Sequence, residues 1–221
     1  MLCGDRIRPL ALTVFLAALA LSTAAAAVPQ QRRYAVVVGS NLGESDESPL
    51  RYAERDASRL GDVLVRLGGV APEDMLLIRG GSAPAVEQVL AELAARVSRQ
   101  RRADPKSTAM LMFYFSGHAS AGALHLGGDQ LTFERLRALV RKAGADVSVF
   151  IVDACRSGGL TRVKGAVAAE PFEIKVEDML QSQGEAIITS SAQGEDAQES
   201  DRLQGGIFTH HLIGGLLGAA D

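Results

Sequence analysis

Short apolar runs alternate with amphipathic stretches over most of this chain. The apolar runs are rich in β-branched and aromatic residues, which is typical of strands that are buried on both faces of a parallel sheet. The runs predicted to form strands are Tyr34–Gly39, Met75–Ile78, Met110–His118, Val147–Cys155 and Ala186–Ser190. The stretches with apolar residues at helical spacing are Arg51–Leu67, Pro84–Val97, Thr132–Lys142 and Ile207–Leu217, and Thr132 is a candidate N-cap of the third. Strands that alternate with helices predict an α/β domain with a mainly parallel sheet.

Two segments interrupt this alternation. Ala123–Leu126 and Asp129–Leu131 flank a pair of glycines, a pattern that predicts a β-hairpin. Residues 156–184 form a polar stretch without strong periodicity. A connection of that length inside a compact domain is usually functional or flexible.

The N-terminal residues follow the order of a secretory signal peptide. Arg6 and Arg8 precede an apolar stretch, Leu10–Leu21, and a run of small residues ends at Ala27. We interpret residues 1–27 as a signal peptide and residues 28–221 as one domain. The protein is then exported, to the periplasm or the medium, and is free of the membrane after cleavage. An uncleaved membrane anchor is the alternative interpretation, but the apolar stretch is short for a membrane span.

Charge and cysteine content narrow the function classes. The formal net charge is −3 and the pI is near 5.8, so the chain lacks the basic surface expected of a nucleic-acid-binding protein. The chain has 2 cysteines, Cys3 and Cys155, and Cys3 leaves with the predicted signal. One remaining thiol cannot form an internal disulfide. A buried, inert cysteine is the alternative, yet Cys155 stands at the end of a predicted strand instead of in its interior. The oligomeric state is left open by the sequence.

Reactive side chains stand at the ends of two predicted strands. His118 ends the third strand and Cys155 ends the fourth. Ligands of open α/β sheets bind beyond the carboxyl ends of the strands, so neighbouring strands would bring these two side chains together. A thiol beside an imidazole is the minimal machinery for nucleophilic acyl transfer.

Other chemistries lack their motifs. Neither a GxGxxG nor a GxxxxGK[ST] phosphate loop is present, which argues against a nucleotide-binding domain. A GxSxG elbow is missing as well, which argues against a serine hydrolase. No HExxH or CxxC pattern occurs, so we predict neither a metal site nor a resident cofactor.

Two motifs together carry a resemblance to a known family. Tyr114–His118 reads YFSGH and Asp153–Gly158 reads DACRSG. These segments match the histidine and cysteine motifs of caspase-like cysteine peptidases, the clan of caspases, metacaspases and their bacterial relatives. Over nearly the whole mature sequence, the chain resembles a bacterial metacaspase-like member of this clan. The resemblance implies a caspase-like three-layer sandwich, in which helices flank a mainly parallel central sheet, and an endopeptidase that acts on peptides or proteins.

The resemblance also implies catalytic roles. Cys155 would be the nucleophile that forms an acyl-enzyme, and His118 would be the general acid and base. The backbone N–H groups of Ala119 and Cys155 would form the oxyanion hole. The clan usually has glycine where Ala119 stands, and an alanine can serve there if its φ is not positive.

Specificity is inferred from the residue two positions before the nucleophile. Metacaspases and paracaspases carry an acidic residue there, which binds Arg or Lys at P1, the residue before the cleaved bond. Asp153 and Ser190 are therefore the expected substrate-binding residues, with Ser190 on the strand that resembles the lining of the family's specificity pocket. Two alternatives remain: Asp153 could brace a loop, or it could pair with Arg156.

The loop after Cys155 and the acidic segment 194–201 lead to weaker expectations. Arg162 and Lys164 are candidate sites of self-cleavage, since many family members are cut in this linker; an ordinary surface loop is the alternative. Some metacaspases need calcium, which carboxylate-rich loops suit. The spacing in 194–201 matches no EF-hand, so solvated surface is the preferred interpretation, and calcium activation has no clear site. Glu195, Asp196 and Glu199 could alternatively line the substrate cleft and favour basic peptides.

A second function class remains open. A caspase-like module that binds peptides or proteins without cleaving them would keep the same fold. Family members continue with a further helix and an edge strand, so we expect residues 28–221 to lack these two elements. Peptide hydrolysis by the protein would distinguish a peptidase from a binding module.

Overall fold

The computed structural model describes residues 31–120, 122–154, 184–190 and 198–219. Its strands are β1 (Gln31–Gly39), β2 (Val70–Arg79), β3 (Thr108–Ser116), β4 (Ala123–Leu126), β5 (Asp129–Thr132), β6 (Val147–Asp153), β7 (Glu185–Thr189), β8 (Glu199–Ser200) and β9 (Gly205–Gly206). Its α-helices are α1 (Ala53–Arg66), α2 (Ala83–Ala103), α3 (Phe133–Ala143) and α4 (Ile207–Gly214), and a π-helical turn, Gly215–Ala219, follows α4. The predicted signal peptide, residues 1–27, lies outside the described residues.

Five parallel strands form the central sheet, in the order β2-β1-β3-β6-β7. The five apolar runs predicted as strands contribute to these five strands, so the predicted α/β class with a mainly parallel sheet is confirmed. β2 begins earlier than predicted. Val70 pairs with Arg33 before an irregularity, and regular pairing resumes where Met75 pairs with Ala35. Glu73 and Asp74 lie in this irregular part, so the beginning of β2 lacks the apolar run from which a strand is predicted.

Helices cover both faces of the sheet. On one face the sheet packs against α2 and α3, and on the other it packs against α1 and α4. The alternating side chains of β1 supply both cores, since Val36 and Val38 belong to the first and Ala35 and Val37 to the second. This arrangement is the three-layer sandwich that the resemblance implied.

The α2 helix extends past its predicted end at Val97. The additional residues are polar, and they include Gln100, whose Oε1 accepts a hydrogen bond of 2.5 Å from Tyr34 Oη. A polar final turn carries no apolar periodicity, so the sequence pattern could not show that the helix continues.

The predicted hairpin is confirmed as β4 and β5, which pair antiparallel. Gly127 and Gly128 form its turn with φ values of 60° and 96°, which glycine adopts at little cost. Thr132 caps α3 as predicted, since its Oγ1 accepts a hydrogen bond of 3.2 Å from the Arg135 N–H. Within the described ranges no helix is both long and apolar enough to cross a membrane.

Candidate active site

The carboxyl ends of β1, β3, β6 and β7 are joined into one rim by backbone hydrogen bonds. Ser116 pairs with Asp153 at the ends of β3 and β6, and Gly117 N–H donates to the Asp153 carbonyl at 3.2 Å. At the end of β7, which pairs with β6, Ser190 N–H donates to the Val152 carbonyl at 3.0 Å. The histidine motif and the residues leading into the cysteine motif are therefore neighbours, as their positions at strand ends predicted.

His118 is held by the loop that follows β1. Its Nε2 lies 2.9 Å from the carbonyl oxygen of Ser48. A carbonyl oxygen only accepts, so Nε2 carries the proton and Nδ1 is the ring nitrogen able to take up another. Nδ1 lies 3.8 Å from an oxygen of Glu47. The His118 side chain is only 14% exposed, so the imidazole is oriented by its surroundings.

Ala119 is buried where the chain turns towards β4. It forms an isolated antiparallel bridge with Leu124. Gln204 is the one non-glycine residue with positive φ in the part of the chain that the structure describes. Ala119 therefore has a backbone conformation that suits alanine, and the usual glycine of this position is not required.

Asp153 is buried at the end of β6 and is hydrogen-bonded by α4. Thr209 Oγ1 donates to Asp153 Oδ2 at 2.6 Å, and Tyr114 Oη, 2.7 Å from Thr209 Oγ1, donates to it in turn. Burial raises the pKa of Asp153, although hydrogen bonds from Thr209 and from the Ser190 side chain oppose the change. Ser190 Oγ also accepts from the Ala154 N–H at 3.2 Å. Both predicted substrate-binding residues thus belong to one buried polar network.

A second carboxylate, that of Asp56, lies beside this network. Asp56 is on the buried face of α1 and is 0% exposed. Gly206 N–H donates to its Oδ2 at 2.6 Å, while its Oδ1 has no hydrogen-bond partner among the described residues. Arg59 Nη1, also without a hydrogen bond there, lies 3.6 Å from Oδ1. Burial and the nearby Asp153 raise the pKa of Asp56 to about 6, against the Gly206 hydrogen bond and the charge of Arg59.

Gly206 marks where the two carboxylates converge. A Cβ placed on Gly206 would lie 2.7 Å from Asp153 Oδ2 and 3.2 Å from Asp56 Oδ2. Any side chain at this position would therefore crowd both carboxylates. The sequence analysis assigned Asp56 no role. A charged residue on the apolar face of α1, next to Ala57 and near Leu60, was the signal that could have identified it.

The β8–β9 hairpin, which the hydrophobic pattern did not predict, is fastened to the start of α1. The Glu199 carboxylate accepts hydrogen bonds from the N–H groups of Arg51 at 2.9 Å and Tyr52 at 2.8 Å. The Asp201 carboxylate accepts from Arg51 Nη1 and from Tyr52 Oη. These two acidic side chains therefore join the hairpin to the start of α1, while Asp201 is 71% exposed, as expected of a solvated surface.

Several predicted site residues lie outside the described residues. These are Cys155, Arg156, Arg162 and Lys164. Ala154, which immediately precedes the predicted nucleophile, is buried at the rim. Over the described ranges, no three histidine, cysteine or acidic side chains group closely enough to hold a metal ion.

Comparison with known proteins agrees with this architecture. The caspase domain family matches residues 32–220 of the chain. Among solved structures, the crystal structure of caspase-1 from Spodoptera frugiperda is similar, with a TM-score of 0.55 and 13% sequence identity. That match covers 86% of this chain and 71% of the insect protein. No curated protein sequence matches the chain significantly.

Proposed function

Because the chain belongs to the caspase domain family, we propose that it is a cysteine endopeptidase that cleaves proteins after Arg or Lys. The observation that carries the specificity is the pair of buried carboxylates, Asp56 and Asp153, that converge on Gly206 at the rim that also carries His118. A buried carboxylate forms strong, charge-assisted hydrogen bonds with a guanidinium or ammonium group. A substrate with an acidic P1 side chain would meet repulsion there.

The hydrogen bonding of His118 supports its part in the proposed reaction. Because Nε2 donates to the Ser48 carbonyl, Nδ1 would accept the proton from the Cys155 thiol. The thiolate would attack the carbonyl carbon of the P1 residue, and the N–H groups of Ala119 and Cys155 would stabilise the oxyanion. His118 would then give the proton to the leaving amine. Water activated by the same imidazole would hydrolyse the thioester and release the enzyme.

In the proposed complex, the carboxylates have different tasks. Asp153 is already hydrogen-bonded by Thr209 and Ser190, so it would act mainly through its charge. Asp56 Oδ1 is buried without a hydrogen-bond donor among the described residues, and the guanidinium of Arg59 lies 3.6 Å from it. The P1 side chain would replace that loosely held guanidinium with a direct hydrogen bond.

Hydrolysis of fluorogenic peptides that differ only at P1, as Arg, Lys or Asp, tests the proposal. We expect cleavage after Arg and Lys that disappears in Cys155→Ala. Asp153→Asn should lower kcat/KM for these peptides by about 10- to 100-fold, because a buried negative charge that attracts the P1 cation is lost. Asp62→Asn is the matched control, because Asp62 is exposed on α1.

Two results would contradict the proposal. Cleavage only after Asp would overturn the role of the carboxylate pair. The absence of any cleavage by the folded protein, with calcium and without it, would favour the peptide-binding module that lacks catalysis. Neither a cofactor nor a nucleic acid has a part in the proposed reaction.

A further inference from the structure

Glu47 lies between the two histidines of the rim. One of its carboxylate oxygens is 3.8 Å from His118 Nδ1, and both oxygens lie 2.9–3.0 Å from His125 Nδ1. His125 is 4% exposed on β4, so its ring is fixed by the core. The His125 ring N–H donates to the carboxylate, since the carboxylate only accepts.

The backbone around Glu47 is built to hold this carboxylate in place. Glu44 N–H donates to Glu47 Oε2 at 2.7 Å. Gly43 lies so close to Glu47 Oε2 and to the His118 ring that a Cβ at position 43 would collide with both. The loop is attached to the β4–β5 hairpin, because Gly127 N–H and Gly128 N–H donate to the Leu42 and Gly43 carbonyls at 3.0 Å.

The position of the carboxylate relative to the ring matters for the proton transfer. His118 Nε2 is engaged by the Ser48 carbonyl, so Glu47 lies on the side of the nitrogen that would receive a proton. Although burial opposes it, the Glu44 N–H and the two histidines lower the pKa of Glu47, which keeps the carboxylate charged. A fixed negative charge at this distance favours the positively charged form of an imidazole.

We propose that Glu47 is a positioning residue for catalysis: it orients His118 and balances the charge that the imidazole gains when it takes the proton of Cys155. The step moves one proton from Sγ to Nδ1, leaving a thiolate and an imidazolium, and no other bond changes. This inference rests on the proposed cysteine peptidase function. The titratable groups that face Glu47 from neighbouring elements are His118 and His125. Glu44 N–H donates to the Glu47 carboxylate, and Gln130 Nε2 donates to the Glu44 side chain.

Glu47→Gln tests the proposal, because it removes the charge and keeps the size of the side chain. Asp46→Asn is the matched control: it removes one charge from the same loop, at an exposed position beside Glu47. We expect Glu47→Gln to lower kcat by about tenfold with KM changed less than about twofold, because the charge acts on the proton transfer and not on the bound peptide. The control should behave as the parent protein.

Alkylation of Cys155 by iodoacetamide gives a readout that needs no substrate, with Cys155→Ala as the blank. In Glu47→Gln the pH of half-maximal alkylation should rise by about 0.5 or more, because the thiolate loses its stabilised imidazolium partner. Glu47→Asp keeps the charge and should give an intermediate profile, which also serves if the glutamine variant does not fold. Three results would overturn the inference: a parental profile in Glu47→Gln, equal losses in Glu47→Gln and Asp46→Asn, or a Glu47→Asp profile equal to that of Glu47→Gln. Absence of peptide cleavage by the parent would instead refute the peptidase function. The alkylation profiles would still test whether the Glu47 charge affects the Cys155 thiol.

Discussion

Replacing Asp56 by asparagine is expected to stabilise the protein while it lowers activity. The pKa of Asp56 is raised from its ordinary value of 3.8 to about 6, and burial is the main cause. That difference corresponds to about 3 kcal/mol of unfavourable free energy for the charged form in the folded state. An asparagine whose oxygen accepts from Gly206 N–H turns its NH2 group towards the Arg59 guanidinium, and this contact between two donors offsets part of the gain, so we expect about 1.5 kcal/mol.

The sign of the pH dependence follows from the direction of the shift. The folded protein holds a proton on Asp56 more tightly than the unfolded chain does. The free energy of unfolding of the parent protein therefore falls as pH rises from about 4 to about 7, because the buried carboxylate becomes charged. The asparagine side chain of the variant stays neutral at every pH, so the stability advantage of the variant should be near zero at about pH 3.5, about half complete at about pH 5 and complete by about pH 8.

Urea unfolding of the variant and the parent, both in a Cys155→Ala background that prevents self-cleavage, measures this difference. Asp62→Asn, on the exposed face of the same helix, is the control and should leave stability within about 0.5 kcal/mol of the parent. With the nucleophile intact, Asp56→Asn should lower kcat/KM for P1 Arg by about 10- to 100-fold. A variant less stable than the parent at about pH 8 would refute the argument that Asp56 is retained at a cost, and full activity would remove it from the binding site.

Three further outcomes are expected. Gly206→Ala should abolish hydrolysis after Arg and lower the melting temperature, because the new Cβ approaches both carboxylates; a variant with parental activity would contradict that geometry. Purified protein should be cut after Arg162 or Lys164 and Cys155→Ala should stay intact on mass spectrometry, whereas identical nicking of both would point to a contaminating protease. Leu60→Ala should cost about 2–5 kcal/mol in urea unfolding, since Leu60 is 0% exposed on the buried face of α1, and a loss below about 1 kcal/mol would mean that this core can close around the cavity.

Most of the fold was predictable because its signals are local. Apolar runs such as Tyr34–Gly39 lie between the two cores, so every position favours apolar residues and the strand is visible in the sequence. The hairpin turn at Gly127 and Gly128 and the cap at Thr132 depend on a few adjacent residues, and they too were found. The polar end of α2 and the two-residue strands of the β8–β9 hairpin have no such pattern, and they were missed.

The candidate site was only partly predictable. His118 and Asp153 could be identified from motifs at strand ends, and the parallel pairing of β3 and β6 brings their segments together. Asp56 and Glu47 carry no motif. Their importance depends on neighbours far away in the sequence: Gly206 for Asp56, and His125 for Glu47.

The sequence by itself determined the α/β class, the order of strands and helices along the chain, and the two motifs at strand ends. The period of apolar positions and the chemistry of short segments are properties of adjacent residues, which folding does not alter. The tertiary structure alone decided which acids are buried, which are hydrogen-bonded and which face a histidine. Those properties arise from desolvation and distance between residues up to 150 positions apart, as for Gly206 and Asp56, and no local pattern encodes them.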